Sequence, residues 1–164
     1  MVRRMRDAMV AAVVVIVVAA LARFVDDLRP PVAGRARVVD GDSLVVDGQD
    51  IRLEGIDAPE LAQTCLRGEQ VWRCGRDAAT ALRRMVADRH VSCRGREKDR
   101  YGRLLAVCNA GGVDLNAAMV KAGHAVAYGN YLADERDARD ARRGLWASQF
   151  EQPAAWRARH PRAP

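Results

Sequence analysis

Apolar positions along the chain change period several times, and each period predicts a different element. Residues 35–39, 44–46 and 49–56 are rich in β-branched side chains and are separated by Gly41-Asp42-Ser43 and Asp47-Gly48. They predict three strands, the last two joined by a tight hairpin. From Leu66 to Asp88 the apolar residues Val71, Trp72, Ala78, Ala79, Leu82, Met85 and Val86 recur at helical spacing. Strand patterning returns over 90–98 and 103–109 on either side of Asp99-Arg100-Tyr101-Gly102. Asp114 is placed to cap a helix that Gly123 ends. A further helix is predicted from near Asn130 to Gly144, its charged run 133–143 reading as a solvated face with pairs such as Glu135 with Arg139.

Strands on both sides of one long helix, with helices gathered at the C-terminal end, predict an α+β protein that is mainly β. The expected architecture is a five-stranded barrel of the OB type with about three packed helices. The N-terminus follows another pattern: Arg3, Arg4 and Arg6 precede an uncharged apolar run from Ala8 to Ala22. That is the form of an export signal, either a cleaved signal peptide or an uncleaved anchor. The expected organisation is a signal or anchor over 1–29, a linker over 30–34, a domain over 35–149 and a tail over 150–164. The arginines before the apolar run place the domain on the outer side of a membrane, anchored toward the periplasm or secreted if cleavage occurs.

Net charge changes the picture only a little. The formal charge is +6, and the part after the apolar run is basic on its own. A basic surface attracts polyanions such as nucleic acid or anionic lipid without choosing between them. Cysteine usage says more. Cys65, Cys74, Cys93 and Cys108 form an even set in a chain bound for an oxidising compartment. Three connectivities are open; Cys93 and Cys108 are symmetric about Arg100-Tyr101, so a hairpin turning there pairs them and leaves Cys65 for Cys74. A Cys₄ zinc site is the alternative, against which stands the absence of C-x₂₋₄-C spacing.

Histidines 90, 124 and 160 are scattered, and neither a Gly-rich nucleotide loop nor a Gly-x-Ser-x-Gly elbow is present. The remaining chemistry lies in carboxylates and arginines where strands meet loops. Asp40-Gly41-Asp42-Ser43 joins the first two strands, and Arg52-Leu53-Glu54-Gly55-Ile56-Asp57-Ala58-Pro59-Glu60 carries the third strand into a loop. Two carboxylates from separate loops can hold a hard cation, with water completing its shell. A glutamate can take a proton from water, and arginine forks fit phosphate oxygens.

The three segments DGDS, IRLEGIDAPE and DRYGR, in this order with a helix before the last, resemble the signature segments of the staphylococcal nuclease (thermonuclease) family. The resemblance covers roughly residues 34–146. It implies an OB-fold and Ca²⁺ held by Asp42, Asp57 and the backbone carbonyl of Ala58. It further implies a catalytic set of Arg52, Glu60 and Arg103, with Tyr101 and Tyr128 in the substrate pocket. Tyr131 fits the pattern less well, because Asn130 stands where the family has its second tyrosine.

The implied function is Ca²⁺-dependent hydrolysis of phosphodiester bonds in DNA and RNA with low sequence specificity, since backbone contacts carry little sequence information. One alternative is a catalytically inactive OB-fold module binding single-stranded nucleic acid or another anionic polymer at the cell envelope. A third is an envelope or interaction protein whose anchor matters most. The joint presence of Arg52, Glu60, Arg103, Asp42 and Asp57 favours the enzyme.

Overall fold

The computed structural model describes residues 12–21 and 30–161. Contacts divide it into two units, 1–30 and 31–164. In the first unit residues 12–21 form a helix, α1. The rest of the expected signal or anchor lies outside the described residues. Among the described residues, no helix is long and apolar enough to cross a membrane.

The second unit is built on β1 (Val32–Val38), β2 (Ser43–Val46), β3 (Gln49–Leu53), β7 (His90–Lys98) and β8 (Leu104–Ala110). These five run in the order β3-β2-β1-β7-β8, and a parallel pairing of β3 with β8 closes the sheet into a barrel. The expected α+β architecture with a five-stranded OB-type barrel is what the chain adopts. Each strand turns its apolar side chains inward, so Leu44, Val46, Ile51, Leu53, Val91, Ala106, Cys108 and Ala110 line a common core. The β2–β3 hairpin turns at Asp47-Gly48, both at positive φ, as a two-residue turn between twisted strands requires. Gly95 is a second place where only glycine fits. A Cβ there would lie 1.9 Å from the Leu105 carbonyl oxygen, at the irregularity where β7 bends over β8.

One end of the barrel is covered by α2 (Cys74–Val86), which buries Ala78, Ala79, Ala81, Leu82 and Val86, and by α3 (Leu115–Lys121). Asp114 caps α3 by accepting from the Ala117 amide at 3.0 Å, and Gly123 follows the helix at φ +73°. Asn116, fully buried, ties α3 to the barrel. It accepts from the Cys108 amide at 3.1 Å and donates to the carbonyls of Glu54 at 2.9 Å and Ala106 at 3.1 Å. Short strands β9 (Val113–Asp114) and β10 (Val126–Ala127), α4 (Leu132–Asp140), a 3₁₀ turn (Gly144–Ala147) and α5 (Pro153–Arg159) complete the order.

Three expectations are corrected. The helix starts at Cys74 rather than near Leu66, because β5 (Cys65–Arg67) and β6 (Gln70–Trp72) form a hairpin first. Gly68 turns that hairpin at φ +60°, and the Cys65–Cys74 disulfide spans it. Residues 32–34 of the expected linker belong to β1, where Val32, Ala33 and Gly34 pair with Cys93, Ser92 and Val91. The expected tail beyond 150 contains α5 and packs on the domain. The charged run 133–143 is mostly exposed, as expected, and Glu135 pairs with Arg139 at 3.3 Å; Glu135 itself is buried and also accepts from the Ala127 amide.

The cysteines form two bridges, Cys65–Cys74 and Cys93–Cys108, with no free thiol among the described residues. The Cys93–Cys108 bridge joins residues directly opposite on β7 and β8, as the hairpin symmetry predicts. The zinc alternative is thereby removed.

His124 gives the fold a pH dependence. Burial pushes its imidazole below the ordinary 6.5, Arg67 and Arg84 act in the same direction, and Asp77 opposes them. As pH falls through 6.5 the unfolded chain takes up the proton first, so stability is lost from there down to the depressed folded value. Measured by chemical denaturation, the stability difference between wild type and His124→Asn should move against the wild type as pH falls from 7 to about 5, which isolates the histidine from the opposing effect of the raised Asp42 carboxyl.

Candidate active site

Four segments bring acidic and basic side chains to one mouth of the barrel. Asp40 and Asp42 follow β1, and their loop is held by hydrogen bonds from the amides of Val39 and Asp40 to the Ser43 carbonyl. Gly41 allows this loop to sit against its neighbours, since a Cβ there would lie 2.7 Å from that of Ala58 and 2.8 Å from that of Ala78. Arg52 projects from β3 opposite Ser43. Asp57 lies on β4 (Ile56–Asp57), which β10 holds by pairing Val126 with Asp57. Arg103 immediately precedes β8, at the end of a turn that Asp99 organises by accepting from the amides of Tyr101 and Arg103.

The side chains form one continuous network. Arg52 donates to Asp42 Oδ1 and to Asp57 Oδ1, each at 2.8 Å, and so clamps the two carboxylates expected to hold a cation. Ser43 Oγ donates to Asp42 Oδ1 at 3.0 Å, and Arg103 reaches the same hydroxyl at 3.2 Å. Arg103 is itself steadied by Asp99 at 2.8 Å. At the other end Arg157, from α5, donates to both oxygens of Asp57 at 2.8 and 2.9 Å and to Glu60 Oε1 at 3.3 Å. Glu60, Asp57, Asp42, Arg52 and Arg103 therefore share one site.

Burial makes this site electrostatically tense. Asp42 is 3 % exposed and Asp57 6 % exposed. Desolvation pushes the Asp42 carboxyl up to about 7; Asp40 and Asp57 add to the effect, while Arg52 and the Ala58 amide oppose it. Burial works against the charge on Arg52, yet Asp42 and Asp57 outweigh it and hold the guanidinium firmly protonated. A divalent charge beside these carboxylates would relieve the same tension.

The donor set suits a hard cation: two aspartates with the backbone of Ala58 alongside, whose amide donates to Asp42 Oδ2 at 2.9 Å. Among the described residues no three His, Cys, Asp or Glu side chains gather into a metal cage by themselves. Water and substrate oxygens would complete the shell, as Ca²⁺ tolerates.

The two candidate substrate tyrosines are exposed. Tyr101 lies beneath the guanidinium of Arg103, 5.5 Å from its ring centroid, and Arg100 lies 4.8 Å away. Tyr128 follows β10, donates its amide to the Gly55 carbonyl at 2.9 Å, and is close enough to Arg52 to affect its charge. Tyr131 differs, its hydroxyl turning to Asp114 at 3.4 Å while the ring packs on the core.

Three residues escaped the sequence reasoning. Gln63 is fully buried, accepts from the Glu60 amide at 3.3 Å and donates to the Glu151 carbonyl at 2.7 Å, fixing the Glu60 loop to the C-terminal segment. Gly75 lets the first turn of α2 approach that loop, since a Cβ there would lie 1.7 Å from the Glu60 carbonyl oxygen. Arg157 was the other miss. In the sequence it is one arginine among several in a short C-terminal tail.

The class is that of a closed OB-type barrel with acidic loops and arginines gathered by one hydrogen-bonded network. Residues 50–148 match the profile described as Staphylococcal nuclease homologue, and the chain belongs to that family. It is 36 % identical over 136 residues to "Succinoglycan biosynthesis protein ExoI" of Rhizobium meliloti (strain 1021), covering 77 % of this chain and 71 % of that protein. It is likewise 36 % identical over 135 residues to an "Uncharacterized endonuclease" of Escherichia coli, covering 76 % of this chain and 82 % of the other. A "Probable staphylococcal-like nuclease" of Oryza sativa subsp. japonica is 32 % identical over 124 residues, 71 % of this chain and 23 % of that longer protein.

Proposed function

We propose that this chain is a Ca²⁺-dependent nuclease that hydrolyses phosphodiester bonds of DNA and RNA with little sequence selectivity. The observation that carries the reading is the unbroken side-chain network from Glu60 through Arg157, Asp57, Arg52, Asp42 and Ser43 to Arg103. Endonuclease and nuclease names among the relatives support it. Glu60 serves as general base and takes the proton of the attacking water. Arg52 and Arg103 present planar forks to the phosphoryl oxygens, whose negative charge grows toward the transition state. Asp42, Asp57 and the Ala58 carbonyl would hold Ca²⁺, which supplies a further positive charge and orients water and a phosphate oxygen. Tyr101 and Tyr128 border the substrate and stack on a base or meet a flanking phosphate. Contacts of this kind address the backbone, hence the broad specificity.

The apolar N-terminal run and the two disulfides support an extracytoplasmic location, with membrane attachment or secretion according to the fate of residues 1–29. Incubation of the purified chain with single-stranded DNA should produce cleavage in CaCl₂ and none in EDTA. Binding without cleavage across Ca²⁺, Mg²⁺ and Mn²⁺ would favour the inactive nucleic-acid-binding module instead.

A further inference from the structure

The segment after residue 148 lies beyond the family match, yet buried contacts fix it to the loop that carries Glu60. Leu66 and Gln149 exchange backbone hydrogen bonds at 2.8 Å in each direction. Trp146 and Phe150 pack against the Cys65–Cys74 bridge, Gln63 holds the Glu151 carbonyl, and Pro153 is buried at the start of α5. From this docked helix Arg157 turns back into the site and forks both oxygens of Asp57 while touching Glu60.

A carboxylate whose oxygens both accept from a guanidinium has little left for a hard cation. Asp57 Oδ1 also accepts from Arg52, so an arriving ion competes with two arginines. They are not equally replaceable. The Arg52 side chain is 13 % exposed and clamps two carboxylates, whereas that of Arg157 is 37 % exposed and reaches the site from the rim. Solvent can take over the contacts of Arg157 at smaller cost.

We propose that Arg157 is a positioning residue of the active site, a displaceable counter-ion that holds Asp57 and Glu60 in the cation-free protein and yields Asp57 when Ca²⁺ binds. The C-terminal helix thereby sets the affinity of the site for its ion. This rests on the cation site of the proposed nuclease, and the test separates the two.

The full chain, its Arg157→Ala and Arg157→Lys variants and an Arg159→Ala control are titrated with CaCl₂ by calorimetry, and Tm is recorded in EDTA and in CaCl₂. Arg157→Ala should bind Ca²⁺ about tenfold tighter, the factor expected from relieving one charge-assisted contact. Its Tm should fall in EDTA and rise more steeply with Ca²⁺. Arg157→Lys, whose point charge cannot fork a carboxylate, should be intermediate, and it carries the test if the alanine variant does not fold. Arg159 pairs with Glu151 instead, so Arg159→Ala should match the wild type.

Unchanged or weaker Ca²⁺ binding by folded Arg157 variants would overturn the proposal, as would equal tightening in the Arg159 control. If the wild type binds Ca²⁺ and the Arg157 variants do not differ, this inference alone fails. If neither wild type nor variant binds any divalent cation, the nuclease reading fails with it.

Discussion

Replacing Glu60 by glutamine is expected to slow cleavage of single-stranded DNA by about a hundred- to ten-thousandfold at saturating Ca²⁺, the range for loss of a general base. Glutamine keeps the shape of the side chain and can still accept from Arg157, so the fold and the affinity for Ca²⁺ should be nearly unchanged. What it cannot do is take the proton of the attacking water. Initial rates measured beside calorimetric Ca²⁺ titrations separate these effects. A variant that cuts at the wild-type rate would remove Glu60 from the chemistry, and one that simply failed to bind the ion would make it a ligand.

The second large effect is on stability. Arg52 is the partner that makes two buried carboxylates tolerable, since it bonds Asp42 and Asp57 together. Arg52→Ala leaves buried Asp42 without its guanidinium partner, while Asp57 keeps Arg157, and breaking a buried pair from one side costs roughly 3–5 kcal/mol. Denaturant unfolding in EDTA should show a loss of that order. Ca²⁺ should restore part of it, because an ion between Asp42 and Asp57 replaces the missing positive charge. A loss below about 1 kcal/mol would be that of an exposed ion pair and would contradict the geometry. Cleavage in Ca²⁺ should be lost, since no fork remains on that side of the phosphate.

These two effects explain which parts of the site were legible in the sequence. Asp42, Arg52, Asp57, Glu60 and Arg103 stand in three short segments whose resemblance to the family named them together. Periodicity alone would have left Asp42 and Asp57 as turn caps. Local patterns were read well where the cause was local: Asp47-Gly48 for the β2–β3 turn, Asp114 and Gly123 for the ends of α3, and Cys93 opposite Cys108 across a hairpin.

Misreadings arose where a distant contact decided the outcome. Val71 and Trp72 fit a helical stripe, but the Cys65–Cys74 bridge and the pairing of Leu66 with Gln149 hold this stretch extended. Val32 to Gly34 follow two prolines and look like a linker until β7 is there to pair with them. Gln63 and Arg157 were not marked out by local pattern because their partners, Glu151 and Asp57, lie far away in the chain. Closure of the barrel by parallel pairing of β3 with β8 was likewise invisible to element order alone.

Diffraction from crystals grown with Mn²⁺ as an anomalously scattering substitute for Ca²⁺ tests the central claim most directly. A single peak between the carboxylates of Asp42 and Asp57, beside the Ala58 carbonyl and within one water of Glu60, is the predicted result. A peak elsewhere on the barrel, or none at concentrations that support cleavage, would contradict it.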